Sequence, residues 1–234
     1  MPVQASGFVD YLVNLSMSRW IVILLLMCGL QLQAQQRPTL KNGLENFVTA
    51  NTIYPMYALD NCIQGTIEVA FKINKEGKVT YATVSRGVGA DLDAEALRLI
   101  KLTSGKWIVP SGYDTTTLVR SPMKFSLKDY GCEGMNPASM GLSIRNYTEQ
   151  IGSLNKIANF YRNREQAIEN FVGEDNIIAL KSELGIDDDY LNRKIKIAER
   201  KISQGDLQSA CEDFKFVKYM GSTKADQLLA KYCK

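Results

Sequence analysis

The sequence predicts an α+β chain: a three-stranded antiparallel/mixed sheet with one packed helix, followed by an all-α, helical-repeat-like region. Three observations carry this. Ile67, Val69, Phe71 and Ile73 alternate with Thr66, Glu68, Ala70 and Lys72, the period of a half-buried strand. Leu92, Ala96, Leu99, Ile100 and Thr103 recur at helical spacing. From Ile144 to Lys234 the apolar residues keep that helical period, with Gly185 and Gly205 as breaks.

Asn74-Lys75-Glu76-Gly77 supplies the turn that makes the first strand and a second one, about 78–86, a hairpin. Gly87-Val88-Gly89 ends it. Asp91 is the expected N-cap of the helix, and Asp93 and Glu95 suit its positive end. A third strand is expected over Leu118 to Leu127. A right-handed crossover makes it parallel to the second strand and antiparallel to the first, for a sheet order of second, first, third. Pro122 agrees, because proline inside a sheet is confined to edges and bulges. That order brings the start of the first strand near the end of the third, so Cys62 and Cys132 are expected to form a disulfide.

Residues 130–143, with Gly131, Gly134 and Pro137, read as a linker loop between a first domain at 44–129 and a helical region at 144–234. A helix is expected from Ile144 to Phe171 and a shorter one from Asn176 to Leu184. Asp187-Asp188-Asp189 caps a third that places Leu191, Ile195, Ala198 and Ile202 inward; Leu207 to Met220 and Thr223 to Tyr232 complete the array. The three aspartates lack the spacing of a calcium loop.

Composition bounds the function. Hydrophobic residues make up 45% and charged residues 23% of the 234, as in ordinary folded proteins. A net charge of +3, with its Lys and Arg scattered, argues against nucleic acid. No histidine occurs, which removes the commonest general base and metal ligand. Asp91, Asp93 and Glu95 are the carboxylates a hydrolase would need, but helix capping already accounts for them. No cofactor, metal or catalytic residue is expected.

At the N-terminus, Arg19 precedes an apolar run from Trp20 to Leu30 and a small residue at Ala34, the pattern of a signal peptide cleaved after Ala34. Met17 reads as its start, so residues 1–34 are upstream sequence and signal, and 35–43 a short linker. The expected location is the periplasm; an uncleaved segment would instead anchor the chain in the inner membrane, the only membrane contact expected. Of five cysteines, Cys28 leaves with the signal, and an even set remains in an oxidising compartment: Cys62, Cys132, Cys211 and Cys233. Asn146-Tyr147-Thr148 fits a glycosylation sequon, too short a pattern to use.

Several stretches, in order, resemble the C-terminal domain of TonB: Tyr54-Pro55 with Ala58, Gly65 to Ile73 followed by Gly77-Lys78-Val79, Arg86-Gly87-Val88-Gly89 with Leu92-Asp93 and Glu95 to Arg98, Trp107 with Pro110, and Pro122 to Phe125. The resemblance implies protein recognition, in which a short segment of an outer-membrane transporter joins an exposed strand edge. Here that edge is Leu118 to Leu127, with Leu118, Val119, Arg120, Ser121, Met123, Lys124 and Phe125 as candidate partner-binding residues, beside Tyr54 and Pro55. Arg120 and Lys124 point away from the core, towards either solvent or an acidic partner. Trp107 is expected in the core or as a lid on the sheet. The short linker departs from the long proline-rich one of an energy transducer: even at ~3.5 Å per residue it reaches little distance.

Residues 190–234 resemble a tetratricopeptide-type helix pair with a closing helix, through Ile197-Ala198, Gly205, Ala210, Phe214 and Val217. Cys211 and Cys233 then fall on successive helices and are expected to staple them. This implies a second reading, a periplasmic scaffold or adaptor that binds partners through its helices.

Overall fold

In the computed structural model, residues 37–128, 130–163 and 173–233 are described. The expected signal and the end of the first long helix, 164–171, lie outside them. The chain opens with a two-residue strand, β1 (Thr39–Leu40), and two short helices, α1 (Leu44–Asn51) and α2 (Met56–Asp60). The hairpin follows as β2 (Gly65–Ile73) and β3 (Val79–Arg86). Then come helix α3 (Asp91–Leu102), β4 (Trp107–Ile108) and β5 (Val119–Phe125).

The three long strands form a sheet ordered β3-β2-β5, with both pairings antiparallel, as the crossover argument requires. The hairpin turn closes through the Gly77 amide on the Asn74 carbonyl at 3.0 Å and the Lys78 amide on Asn74 Oδ1 at 2.8 Å. Gly77 is required twice. Its φ is +74°, and a Cβ there would collide with the carbonyl oxygen of Trp107. Alternation along β2 puts Ile67, Val69, Phe71 and Ile73 under α3, where Leu92, Ala96, Leu99 and Ile100 meet them with no solvent exposure. Trp107 packs on Phe71, with ring centroids 5.5 Å apart, and donates its indole N–H to Thr103 Oγ1 at 2.7 Å. It therefore sits at the core margin, and β4 pairs it with Leu40 of β1.

The helical region comprises α4 (Pro137–Asn163), α5 (Glu174–Glu183), α6 (Asp188–Ser203), α7 (Leu207–Tyr219) and α8 (Asp226–Tyr232). The first of these starts earlier than the Ile144 expected from periodicity. Asn136 accepts a hydrogen bond from the Ser139 amide at 2.8 Å, as an N-cap does, and Pro137 takes the first helical position. The proline read as a loop marker is a helix starter. The α6 cap follows expectation, with Asp187 accepting from the Tyr190 amide at 2.8 Å. Gly205 at φ +81° and Asp206, which caps α7 through the Ser209 amide, turn the chain between α6 and α7.

Two cores result. One lies between the sheet and α3; the other gathers Ile157, Ile177, Leu191, Ala198, Phe214 and Val217. Helix α4 serves both, placing Met140, Ile144 and Tyr147 on the first and Leu154, Ile157 and Ala158 on the second. Both expected disulfides form. Cys62–Cys132 joins the approach to β2 with the segment after β5, and Cys211–Cys233 joins α7 to the end of α8, with Cα separations of 5.5 and 5.6 Å. Among the described residues, no helix is long and apolar enough to cross a membrane, and no cluster of His, Cys, Asp or Glu is arranged to hold a metal.

Candidate peptide-binding edge

The sheet has β2 at its centre, so among the described residues β5 meets a strand on one side only. Register pairs Val119 with Phe71, Ser121 with Val69, Met123 with Ile67 and Phe125 with Gly65. Pro122 stands opposite Glu68 and has no N–H. The ladder runs past it unbroken, so its nitrogen faces the outer side, and alternation turns the N–H and C=O groups of Arg120 and Lys124 outward as well. The outer edge thus offers backbone donors and acceptors on both sides of one missing donor.

Side chains divide by the same period. Met123 and Phe125 are each 3% exposed and belong to the core, and by the same alternation their N–H and C=O groups face β2, so the outer edge presents neither residue to a partner. Val119 and Ser121 are half-buried, while Arg120 and Lys124 project into solvent. Leu118, just before the strand, is 39% exposed, a large apolar side chain at the entrance to the edge. Arg120 is already engaged. Its Nη1 lies 3.2 Å from Glu68 Oε1, and the same carboxylate accepts from the Ser85 hydroxyl at 2.6 Å and faces Arg86. These donors hold the Glu68 carboxyl below its usual range. Across the solvent face of the sheet, Arg86 and Arg120 share this one central acid, and Lys124 is the β5 cation outside that group.

Tyr54 and Pro55 sit away from the outer edge. The Tyr54 hydroxyl donates to the Ile63 carbonyl at 2.7 Å, its ring stands edge-on to Phe125 with centroids 6.3 Å apart, and burial pushes its acidity well below that of an ordinary phenol. Pro55 is the N-cap residue of α2 in an extended conformation. Tyr54 thus supports the strand from inside, whereas Pro55 starts α2.

The carboxylates of α3 depart from expectation. Ala90, not Asp91, occupies the N-cap position, and it makes no side-chain cap bond. Asp91 instead accepts from the Tyr57 and Ala58 amides, each at 3.1 Å, and so caps α2. Asp93 takes the amides of Val88 and Gly89, closing the loop that ends β3. Glu95 is buried, accepts the Ile53 amide at 2.8 Å, and is bridged by Arg98 at 2.7 Å. Arg98, 7% exposed, also reaches the Asn51 carbonyl, Gln204 and Asp206. One guanidinium thereby ties α1 and α3 to the α6–α7 turn. The Glu95–Arg98 ion pair was missed in the sequence, where its (i, i+3) spacing could have signalled it, whereas the Arg98 partners at residues 51, 204 and 206 carry no local signal.

The fold is of the α+β class, a three-stranded antiparallel sheet backed by one helix, with β5 at one edge among the described residues. Residues 50–127 match the family model described as Gram-negative bacterial TonB protein C-terminal, so this segment is similar to a TonB C-terminal domain. The match takes in α2, the three-stranded sheet and α3, and ends before α4. The tetratricopeptide-type likeness lies outside it. Comparison with curated proteins and with solved structures gave no match.

Proposed function

We propose that this protein acts in the periplasm by capturing an extended segment of a partner protein as a fourth strand on β5. The observation that carries the reading is the outer edge of β5, whose outward backbone groups flank Pro122 in a segment similar to the TonB C-terminal domain. Each backbone hydrogen bond formed there contributes a net ~0.5–1.5 kcal/mol, so a few of them with one or two side-chain contacts suffice for reversible capture. Leu118 offers an apolar contact at one end of the edge and Lys124 a positive charge near the other. The partner expected from the likeness is the periplasmic segment of an outer-membrane transporter.

A photocrosslinking probe at Leu118, used in intact cells with the products identified by mass spectrometry, tests this. Capture of a transporter's periplasmic segment supports it. No capture at Leu118, while a probe at the exposed Ile178 on α5 traps a protein, would shift the function to the helices and make the sheet a platform for a scaffold or adaptor.

A further inference from the structure

A cavity of about 340 Å³ lies between the first core and the helices, walled by α2, α3, α4, α6 and α7. Three tyrosines from three different helices line it: Tyr57, Tyr147 and Tyr190. Tyr57 and Tyr147 form a corner, with ring centroids 5.0 Å apart and planes inclined at 47°. The cations in the lining are already bound. Arg98 holds Glu95 and Asp206, and Lys194 and Lys201 both hold Asp213, at 2.9 and 2.6 Å. Lys194 is also turned towards the Phe216 ring, 5.3 Å away.

What remains unfilled is of one kind. Asp91 faces the cavity with two backbone amides on its carboxylate, and among the described residues no side-chain cation contacts it. Gln150, on α4, buries its Oε1 with no donor among the described residues. Glu212 adds an acid at the rim. The lining together with Asp206 sets Arg98, Lys194 and Lys201 against Asp91, Glu95, Asp206, Glu212 and Asp213, an excess of acid. A buried acceptor without a donor at Gln150, surplus negative charge and aromatic faces call for a ligand that brings N–H donors or a diffuse positive charge on a hydrocarbon body.

We propose that this cavity binds a small organic cation, an amine or quaternary ammonium compound, with its charge between Asp91 and the tyrosine rings. The Asp91 carboxylate attracts the cation, the rings of Tyr57, Tyr147 and Tyr190 pack against its carbon atoms, and Gln150 Oε1 accepts from an N–H where the ligand has one. An anion would meet only cations that are already paired, and a neutral sugar would bring no charge to the acid excess of the lining.

The test is calorimetric titration of the disulfide-bonded chain from residue 35 with benzyltrimethylammonium chloride, benzylamine hydrochloride, sodium benzoate and glucose at pH 7.5. Saturable binding of the two cations, with none of benzoate or glucose, is the expected result. Tyr190→Leu is expected to weaken both cations about tenfold. Gln150→Leu is expected to weaken benzylamine, which has N–H groups, more than the quaternary compound, which has none. Thermal melts of both variants establish that they fold. Absence of cation binding, equal or tighter binding of benzoate or glucose, or folded variants that bind like the parent would overturn the proposal.

Discussion

Arg98 shows how far one side chain can reach. Buried beside Glu95, it also satisfies the Asn51 carbonyl and Asp206, so truncating it strands a buried carboxylate and a carbonyl together. Arg98→Ala is expected to cost about 3–5 kcal/mol in urea unfolding, and Glu95→Gln in the same chain to restore part of that loss. Asp91 belongs to the same scale. Burial pushes its carboxyl up to about 6, against the opposing effect of the α2 amides and of Lys194. The groups facing it are Tyr57 from α2, Tyr147 from α4 and Tyr190 and Lys194 from α6, with Asp93 nearby on its own helix. A folded-state value above the unfolded one means the native form holds the proton more tightly. Its contribution is therefore complete below about pH 4 and is lost as pH rises through about 6, by up to ~3 kcal/mol. Asp91→Asn is expected to flatten that part of the stability–pH curve, measured by denaturant titration from pH 4 to pH 7.5.

At the scale of elements, legibility followed the range of the forces involved. The hairpin, α3 and β5 were readable because alternation, turn chemistry and helical period are local. The order β3-β2-β5 followed from chain handedness and a single proline. Local reading failed where a partner is distant. Asp91 looked like the cap of its own helix, yet it caps α2, whose amides come from 57 and 58. Pro137 looked like a loop, yet with Asn136 it starts α4. On β5, periodicity placed Met123 and Phe125 on the inner face, and the register with β2 then turns their backbone groups inward too, leaving Arg120, Pro122 and Lys124 to face outward. The Glu68 group likewise depends on register, which sets Arg86 and Pro122 on either side of Glu68.

For the molecule as a whole, the described residues from 38 onward form one compact unit with two cores that share α4. The Arg98 contacts and the ion pair of Arg193 with Asp60 at 3.1 Å join the two parts. No sequence pattern announces the cavity between them, since its tyrosines come from residues 57, 147 and 190 and meet only through tertiary packing. The disulfides brace each part separately. By loop entropy, Cys62–Cys132, spanning 70 residues, contributes about 4 kcal/mol, and Cys211–Cys233, spanning 22, about 3 kcal/mol. Replacing the first pair with serines is expected to lower the melting temperature more than replacing the second, as scanning calorimetry would show.

The central claim is that β5 binds through its outer backbone. Lys124→Pro tests it most directly, because it removes a second outward N–H and leaves the inward-facing groups to pair with β2. Lys124→Ala serves as the control for the lost charge. The account predicts that Lys124→Pro abolishes the partner crosslink from Leu118 while the melting temperature stays close to that of Lys124→Ala. A crosslink retained at parental yield in a folded Lys124→Pro protein would contradict strand addition at this edge.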